Sequence, residues 1–109
     1  MSLSSHVLDA VRGAPARGVG IRWERRTTGD WEPVAEAVTD DDGRVAGWDV
    51  VTTAGVHRLV FGSGDYFAAQ GSTTFYPEVV VVFEVTDADA HHHVPLLLSP
   101  FAYSTYRGS

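Results

Sequence analysis

The sequence has 109 residues, of which 44% are apolar and 20% are charged. This length fits a single domain over residues 1–109, and the composition argues against intrinsic disorder. The net charge of −6, from 8 basic and 14 acidic residues without a basic run, argues against nucleic acid or an anionic membrane as a partner.

The absence of cysteine excludes disulfides and thiolate chemistry within this sequence and favours a reducing compartment. The opening residues, MSLSSHVLDAV, carry neither a charged n-region nor a long apolar segment, so we expect no signal peptide. The longest apolar run, residues 79–83, is too short to span a bilayer. Together these features predict a cytoplasmic globular protein.

Apolar residues alternate with polar or small ones along much of the sequence, which is typical of β-strands. In residues 19–24 every second residue is apolar, including Ile21 and Trp23, and this predicts a strand with one buried face. Residues 56–62 are a second candidate strand. Residues 78–85, EVVVVFEV, are apolar on both faces in the middle, a pattern typical of a central strand in a sandwich.

Turn sequences separate these strands. Asp42-Gly43, between residues 35–39 and 44–50, predicts a β-hairpin. About eight short strands at roughly ten-residue spacing indicate an all-β sandwich or barrel. Residues 64–71, GDYFAAQG, are the exception: a capping-type Asp65, two alanines and a final glycine predict a short helix.

Two single residues are candidates for ligand binding. If Val7 faces the core, His6 faces the other way, either into a groove or interface or simply into solvent. Arg44 follows a tight turn, where its guanidinium suits a planar, carbonyl-rich or anionic ligand. A salt bridge to a carboxylate of residues 40–42 is the alternative role for Arg44.

A run of three histidines, residues 91–93, is the third candidate. On a strand, His91 and His93 face one side and His92 faces the other. Two imidazoles at this spacing can bind a metal, but zinc needs three or four ligands, and no HExxH pattern supports such a site. A neutral imidazole is also a natural general base. Because no nucleophile motif is present, water is the expected nucleophile if the protein is an enzyme.

Four segments together are similar to the transthyretin-related family: SHVLD (5–9), TDDDGR (39–44), FYPEV (75–79) and HVPLLLSPFAYSTYRGS (93–109). The resemblance extends over nearly the whole sequence and is strongest to the enzymatic branch, the 5-hydroxyisourate hydrolases of purine catabolism. The closing Tyr-Arg-Gly-Ser is the most specific element, since it distinguishes the hydrolases from the hormone carriers.

The resemblance implies an all-β, transthyretin-like sandwich of two four-stranded sheets with one short helix. It also implies a homotetramer, a dimer of dimers, in which edge strands pair across one interface and the active sites line a central channel. The C-terminal tail is then expected to be a final strand held at an interface.

By the same resemblance, the catalytic residues are His6, Arg44 and His93, and the substrate-binding residues also include Tyr106 and Ser109. The carriers have lysine, glutamate and threonine at the first three of these positions. The implied reaction is hydrolytic opening of 5-hydroxyisourate, with no cofactor or metal required. In this scheme a histidine activates water and the arginine stabilises the oxyanion, and which histidine is the base stays open.

Some positions depart from the family pattern, and other functions stay open. His92 replaces a tyrosine, Ala102 a common glycine, and Ala90 a frequent glutamate. We expect these departures to affect local packing more than the reaction, and His91 to act at most as an orienting partner. The alternatives are a non-catalytic, transthyretin-like protein that binds small molecules, a metal-binding protein, and an immunoglobulin-like interaction domain.

Overall fold

The computed structural model describes residues 2–50 and 52–109, which fold into two β-sheets and one short helix. The elements in chain order are β1 Ser2–Asp9, β2 Ala14–Pro15, β3 Gly20–Thr27, β4 Asp30–Val38, β5 Arg44–Asp49, β6 Gly55–Phe61, α1 Ser63–Ala68, β7 Val79–Val85, β8 His91–Leu98 and β9 Tyr103–Thr105.

The first sheet is built around β1, which pairs with β8 along its whole length and with β5 and β2 at its two ends. The short β9 extends this sheet beyond β8. The second sheet has the order β4-β3-β6-β7. The prediction of two four-stranded sheets is confirmed, with the two-residue β2 added to the first.

The core lies between the sheets, because alternate residues of each strand point inward. Ile21 and Trp23 are 1% and 0% exposed, which confirms the strand predicted from the alternation in residues 19–24. The other largest fully buried apolar side chains are those of Leu3, Leu59, Phe61, Leu96 and Leu98. Burying each such side chain contributes about 1.5–3 kcal/mol, which fixes the inward face of every strand.

A buried carboxylate joins the helix to the first sheet. Asp9 is 1% exposed, and its Oδ2 accepts a 2.7 Å hydrogen bond from the Tyr66 hydroxyl on α1. Its Oδ1 accepts the backbone N–H groups of Val11 and Arg12, both at 3.0 Å. These donors compensate the cost of burying the carboxylate, and burial raises the pKa of Tyr66.

The hairpin predicted at Asp42-Gly43 is wrong, although the turn itself is present. Gly43 has a φ of +73° and donates its N–H to the Asp40 carbonyl at 2.9 Å. However, β4 belongs to the second sheet, whereas β5 pairs with β1 in the first. Turn chemistry specifies the local reversal of the chain, and the buried faces of the flanking strands decide which sheet each one joins.

The prediction that residues 78–85 form a central strand is also wrong. The strand β7 lies at the edge of the second sheet, beyond β6. Val79, Val81 and Val85 face the core, while Val80 and Val82 are 37% and 53% exposed on the outer face. The run is therefore apolar on both faces although only one of them is buried within a single copy of the chain.

The predicted short helix is confirmed as α1, but its start differs from the prediction. Its N-cap is Gly62, without a side-chain cap, and Asp65 lies inside the first turn. The chain leaves the helix through Gly71, whose φ of +72° favours glycine. Among residues 2–50 and 52–109, no helix has the length and apolar composition needed to cross a bilayer.

Candidate active site

The three predicted catalytic residues lie together on the outer face of the first sheet. In the antiparallel pairing of β1 with β5, His6 is opposite Arg44. In the parallel pairing of β1 with β8, Ser4 is opposite His93. Since side chains two residues apart on a strand share a face, His6 and His93 lie on the same face of the adjacent strands β1 and β8. Both imidazoles are half-buried, whereas Arg44 is exposed.

The turn before β5 fixes the ring of His6. Its Nε2–H donates to the Asp42 carbonyl oxygen at 2.9 Å, so the neutral ring carries its lone pair on Nδ1. The turn approaches β1 closely, since the Val7 N–H donates to the Gly43 carbonyl at 2.7 Å. A Cβ added at Gly43 would overlap the Val7 carbonyl oxygen. Only glycine therefore permits the approach that holds His6.

The guanidinium of Arg44 is available for a ligand. The Asp40 side chain instead accepts the backbone N–H of Arg44 at 3.0 Å. Asp41 forms an ion pair with Arg17 at 2.9 Å. Within the described part of the chain, no carboxylate forms an ion pair with Arg44. The structure therefore does not show the alternative, a salt bridge from Arg44 to residues 40–42.

The imidazole of His93 is suited to accept a proton. Its Nδ1 lies 2.7 Å from the Ser4 hydroxyl oxygen. Burial lowers the pKa of His93 most, and the nearby His91, Arg44 and His6 lower it further, while a hydrogen bond with the Ser4 backbone opposes the shift. The ring is therefore neutral near pH 7, as a general base must be.

The C-terminal tail ends against His93. The strand β9 pairs with β8, and beyond it Gly108 forms a bridge to His93, donating its N–H to the His93 carbonyl at 2.9 Å. A Cβ added at Gly108 would overlap the His93 ring at Cδ2 and lie 3.0 Å from Cγ. The glycine of the closing motif is thus needed for the tail to lie on the imidazole. The neighbouring Tyr106 and Ser109 side chains are exposed.

The other two histidines of the run point as predicted. His92 faces the opposite side from His93, is 7% exposed, and lies with Nδ1 3.2 Å from the Ala90 carbonyl oxygen. His91 shares the face of His93 and contacts two serine hydroxyls, Ser2 at 2.6 Å and Ser4 at 2.9 Å. Sequence reasoning missed both serines, although they alternate with His6 along one face of β1.

A metal site is the alternative use of these histidines. Within residues 2–50 and 52–109, no group of three or more His, Cys, Asp or Glu side chains is arranged to hold a metal ion.

Comparison with known proteins identifies the family. The family model described as HIUase/Transthyretin matches residues 3–108. A 5-hydroxyisourate hydrolase of Caulobacter vibrioides is 47% identical over 98% of this chain and 97% of its own length. The solved structure of Klebsiella pneumoniae 5-hydroxyisourate hydrolase matches with a TM-score of 0.88 and 34% identity, covering 100% of both chains.

A sea bream transthyretin solved in complex with thyroxine matches about equally well. Its TM-score is 0.91 at 36% identity, over 97% of this chain and 93% of that one. These matches confirm the predicted transthyretin-like sandwich, and they show that the fold is common to hydrolases and to a thyroxine-binding protein. The chain belongs to the HIUase/Transthyretin family.

Proposed function

We propose that this protein is a cyclic amide hydrolase that opens the six-membered ring of 5-hydroxyisourate by adding water, forming 2-oxo-4-hydroxy-4-carboxy-5-ureidoimidazoline. The observation that carries the proposal is the convergence of His6, Arg44 and His93 from three strands onto one face, with the C-terminal tail against His93. Because the fold alone matches both a hydrolase and a thyroxine-bound transthyretin, this site is the deciding feature.

We assign the general base to His93. The reaction adds water to an amide-like carbonyl, and water must lose a proton as it attacks. The lowered pKa of His93 keeps its ring neutral, and Ser4 holds Nδ1, which directs Nε2 to the water. His6 is assigned an orienting role, since its Nε2–H is already donated to the Asp42 carbonyl. General base catalysis of this kind contributes about 10²–10⁴-fold.

We assign oxyanion stabilisation to Arg44. Negative charge develops on the carbonyl oxygen as water adds, and a positioned cation is most effective at that stage. The guanidinium stands opposite His6 on the neighbouring strand and has no carboxylate partner within the described residues. Tyr106 and Ser109, exposed on the tail beside His93, are assigned to substrate binding through their hydroxyls.

Replacing Arg44 with glutamate tests this assignment. We expect Arg44→Glu to lower kcat/KM by about 10²–10³-fold, the cost of losing one oxyanion donor. Its free energy of unfolding should change by no more than about 0.5 kcal/mol, because the side chain is exposed. Arg17→Glu is the matched control, an exposed arginine beside the same turn. A large loss of stability, or an equal loss of activity in both variants, would contradict the assignment.

A homotetramer, built as a dimer of dimers, is the proposed assembly. The edge strands β7 and β9 carry large exposed apolar side chains on or next to them. The most exposed are Phe75, Phe101, Tyr106, Val82 and Tyr103, at 73%, 68%, 58%, 53% and 43%. Pairing of these edges between copies would remove the unpaired strand edges and cover exposed apolar side chains. Sedimentation equilibrium tests this, and a monomer at micromolar concentration would refute it.

The cytoplasm is the proposed location, supported by the absence of cysteine from the sequence. The small-molecule substrate is the only ligand the proposal requires, and the net charge of −6 argues against nucleic acid or an anionic membrane as a further partner. Fractionation of the native host, followed by immunodetection, tests the location, and recovery outside the cytoplasm would exclude it.

The function is tested by generating 5-hydroxyisourate in place with urate oxidase and following its ultraviolet decay. We expect the wild-type protein to accelerate the decay and His93→Ala to lose most of that acceleration. His92→Ala is the control, because that side chain faces the opposite side of β8. If a folded tetramer gives no acceleration, the hydrolase proposal is wrong and a binding role at the same site becomes the better explanation.

A further inference from the structure

Four side chains on the outer face form a continuous hydrogen-bonded network that ends at the proposed base. Ser2 Oγ lies 2.6 Å from His91 Nδ1, and His91 Nε2 lies 2.9 Å from Ser4 Oγ. Ser4 Oγ in turn lies 2.7 Å from His93 Nδ1. The parallel register of β1 and β8 places Ser2 opposite His91 and Ser4 opposite His93. We call these four residues the serine–histidine network.

The network has two possible arrangements of its hydrogens when both rings are neutral. A hydroxyl has one hydrogen, so Ser4 donates to one imidazole and accepts from the other. If Ser4 donates to His91 Nε2, His93 carries its hydrogen on Nδ1 and has a free lone pair on Nε2. If Ser4 donates to His93 Nδ1, His93 carries its hydrogen on Nε2. The state of His91 therefore sets which nitrogen of His93 can act as a base.

We propose that His91 holds the catalytic proton during the reaction, receiving it from His93 through the Ser4 hydroxyl and returning it for ring opening. This inference rests on the proposed function, in which His93 is the base. It assigns His91 and Ser4 to the reaction as a proton relay that does not touch the substrate.

The forward transfer carries one positive charge from His93 to His91. His93 Nε2 takes a proton from water as the hydroxide oxygen bonds to the substrate carbonyl carbon. The hydrogen on His93 Nδ1 then passes to Ser4 Oγ, while the Ser4 hydrogen passes to His91 Nε2. His93 becomes neutral with its hydrogen on Nε2, and His91 becomes an imidazolium. The positive charge has moved, and its total is unchanged.

The return transfer completes the reaction. His93 donates its Nε2 hydrogen to the ring nitrogen as the carbon–nitrogen bond breaks. At the same time His91 Nε2 returns a hydrogen to Ser4, and Ser4 returns one to His93 Nδ1. The network regains its starting arrangement, and one water has been added to the substrate. The same His93 nitrogen has thus served first as base and then as acid.

The charges around the two rings favour holding the proton on His91. His93 is half-buried, with His6 on β1 and Arg44 on β5 close enough to disfavour a second positive charge. Glu84 of β7 and Arg107 of the tail line a cleft together with His93. His91 is exposed at the start of β8, where water stabilises an imidazolium. The register places His91 opposite Ser2 and His93 opposite Ser4, so the charge moves two residues farther along the sheet from His6 and its partner Arg44.

The relay predicts an unusual dependence on pH. A proton on His91 fixes its Nε2–H toward Ser4, which makes Ser4 donate to His93 Nδ1 and places the His93 hydrogen on Nε2. A proton on His91 therefore removes the free lone pair from His93 Nε2 while the His93 ring itself stays neutral. In Ser4→Ala, the acid limb of kcat/KM should move to lower pH while kcat falls by up to about 10²-fold, the lower end of general acid–base effects.

Two variants make this kinetic test specific. Ser4→Thr retains the hydroxyl and should keep the acid limb of the wild-type protein. Ser5→Ala removes the neighbouring hydroxyl, which is buried and donates to the Val94 carbonyl at 2.7 Å. We expect that variant to lose stability without moving the acid limb. An unmoved limb in Ser4→Ala, or an equal movement in Ser5→Ala, would overturn the relay.

Nitrogen NMR of labelled imidazoles tests the network without any turnover. The sequence has five histidines, so each ring can be assigned with a single substitution. In the wild-type protein, the His93 Nδ1–H form should disappear as His91 is protonated, and in Ser4→Ala that coupling should be lost. If His93 follows only its own protonation in both proteins, the relay is wrong. Absence of turnover with the coupling intact would instead reject the proposed function.

Discussion

Two histidines in this protein, His57 and His93, have pKa values that are lowered chiefly by burial, yet their surroundings differ in kind. His57 is 1% exposed in the core. Its Nδ1 accepts the indole N–H of Trp23 at 3.0 Å, and its Nε2–H donates to the Thr53 carbonyl at 2.9 Å. One partner only donates and the other only accepts, so a single neutral tautomer is fixed.

His93 differs from His57 because its partner can either donate or accept a hydrogen bond. The Ser4 hydroxyl both donates and accepts, and no protein group within the described residues bonds to Nε2. The outer position of His93 also leaves one side of the ring open for a substrate, whereas Trp23 and Phe83 pack on His57 with ring centroids 5.9 Å away. A lowered pKa alone therefore does not distinguish a structural histidine from a chemical one, and the partner groups do.

Among the changes around His93, deletion of residues 106–109 should have the largest effect. The deletion removes Gly108 from the imidazole together with the hydroxyls of Tyr106 and Ser109. We expect turnover to fall to the spontaneous rate, as measured by ultraviolet decay of the substrate. Circular dichroism should still show a folded protein, because these residues are not part of the core. Full activity in a truncated tetramer would show that the tail has no role in the site.

Replacing His57 with alanine should affect stability and leave the chemistry intact. The variant leaves a cavity and an unpaired indole N–H on Trp23, which together cost roughly 2–5 kcal/mol. We expect a lower midpoint in urea and an unchanged kcat at temperatures where the variant is folded. A specific loss of kcat without loss of stability would show that His57 takes part in the reaction. The distinction between a structural His57 and a chemical His93 would then be wrong.

Substituting Gly108 tests whether the tail positions the His93 ring. An alanine Cβ would overlap the ring, so the imidazole or the tail must shift. Misplacement of a catalytic group by about 1 Å can cost about 10²-fold, and we expect a loss of that order in kcat for Gly108→Ala. Gly20→Ala is the control, since a Cβ there has open space. Equal kcat in both variants would mean that the ring tolerates the displacement.

The smallest of these expected effects is the change in the free energy of unfolding with pH. A histidine with a lowered pKa in the folded state binds its proton more weakly there than in the unfolded chain, whose pKa is ~6.5. Stability is then fully present above about pH 6.5 and falls as the pH drops toward the folded pKa, by at most about 1.4 kcal/mol per pH unit for each histidine. Arg25 and His92 add to the lowering at His57.

Urea unfolding at a series of pH values, at one protein concentration, measures this slope. His57→Phe should reduce the slope below about pH 6.5. A wild-type slope that persists in the variant would assign the effect to other groups, and a stability that rises as the pH falls would contradict the sign.

The local pattern of the sequence was sufficient for much of the fold. Alternation over residues 19–24 predicted the buried faces of Ile21 and Trp23, because a strand exposes successive side chains to opposite sides. The same rule placed His92 opposite His91 and His93. The assignment of catalytic residues depended on the family resemblance, since nothing in the spacing alone connects residues 6, 44 and 93.

The local sequence patterns did not predict which strands pair with one another. The turn at residues 42–43 has the chemistry of a hairpin, but its strands join different sheets. The run in residues 78–85 has the composition of a central strand, but it lies at an edge. Both outcomes depend on which distant strands pair with these segments, and loop sequences carry little information about that pairing.

The sequence by itself determined the all-β class, the faces of its strands, the absence of thiol chemistry and, through four segments that resemble it, the family. Only the tertiary structure decided which side chains meet. The parallel register of β1 and β8 brings Ser4 to His93, and the bridge from Gly108 brings the tail onto the same ring. Such contacts arise from long-range pairing of distant segments, where shifting a strand by one residue would turn every side chain to the other face.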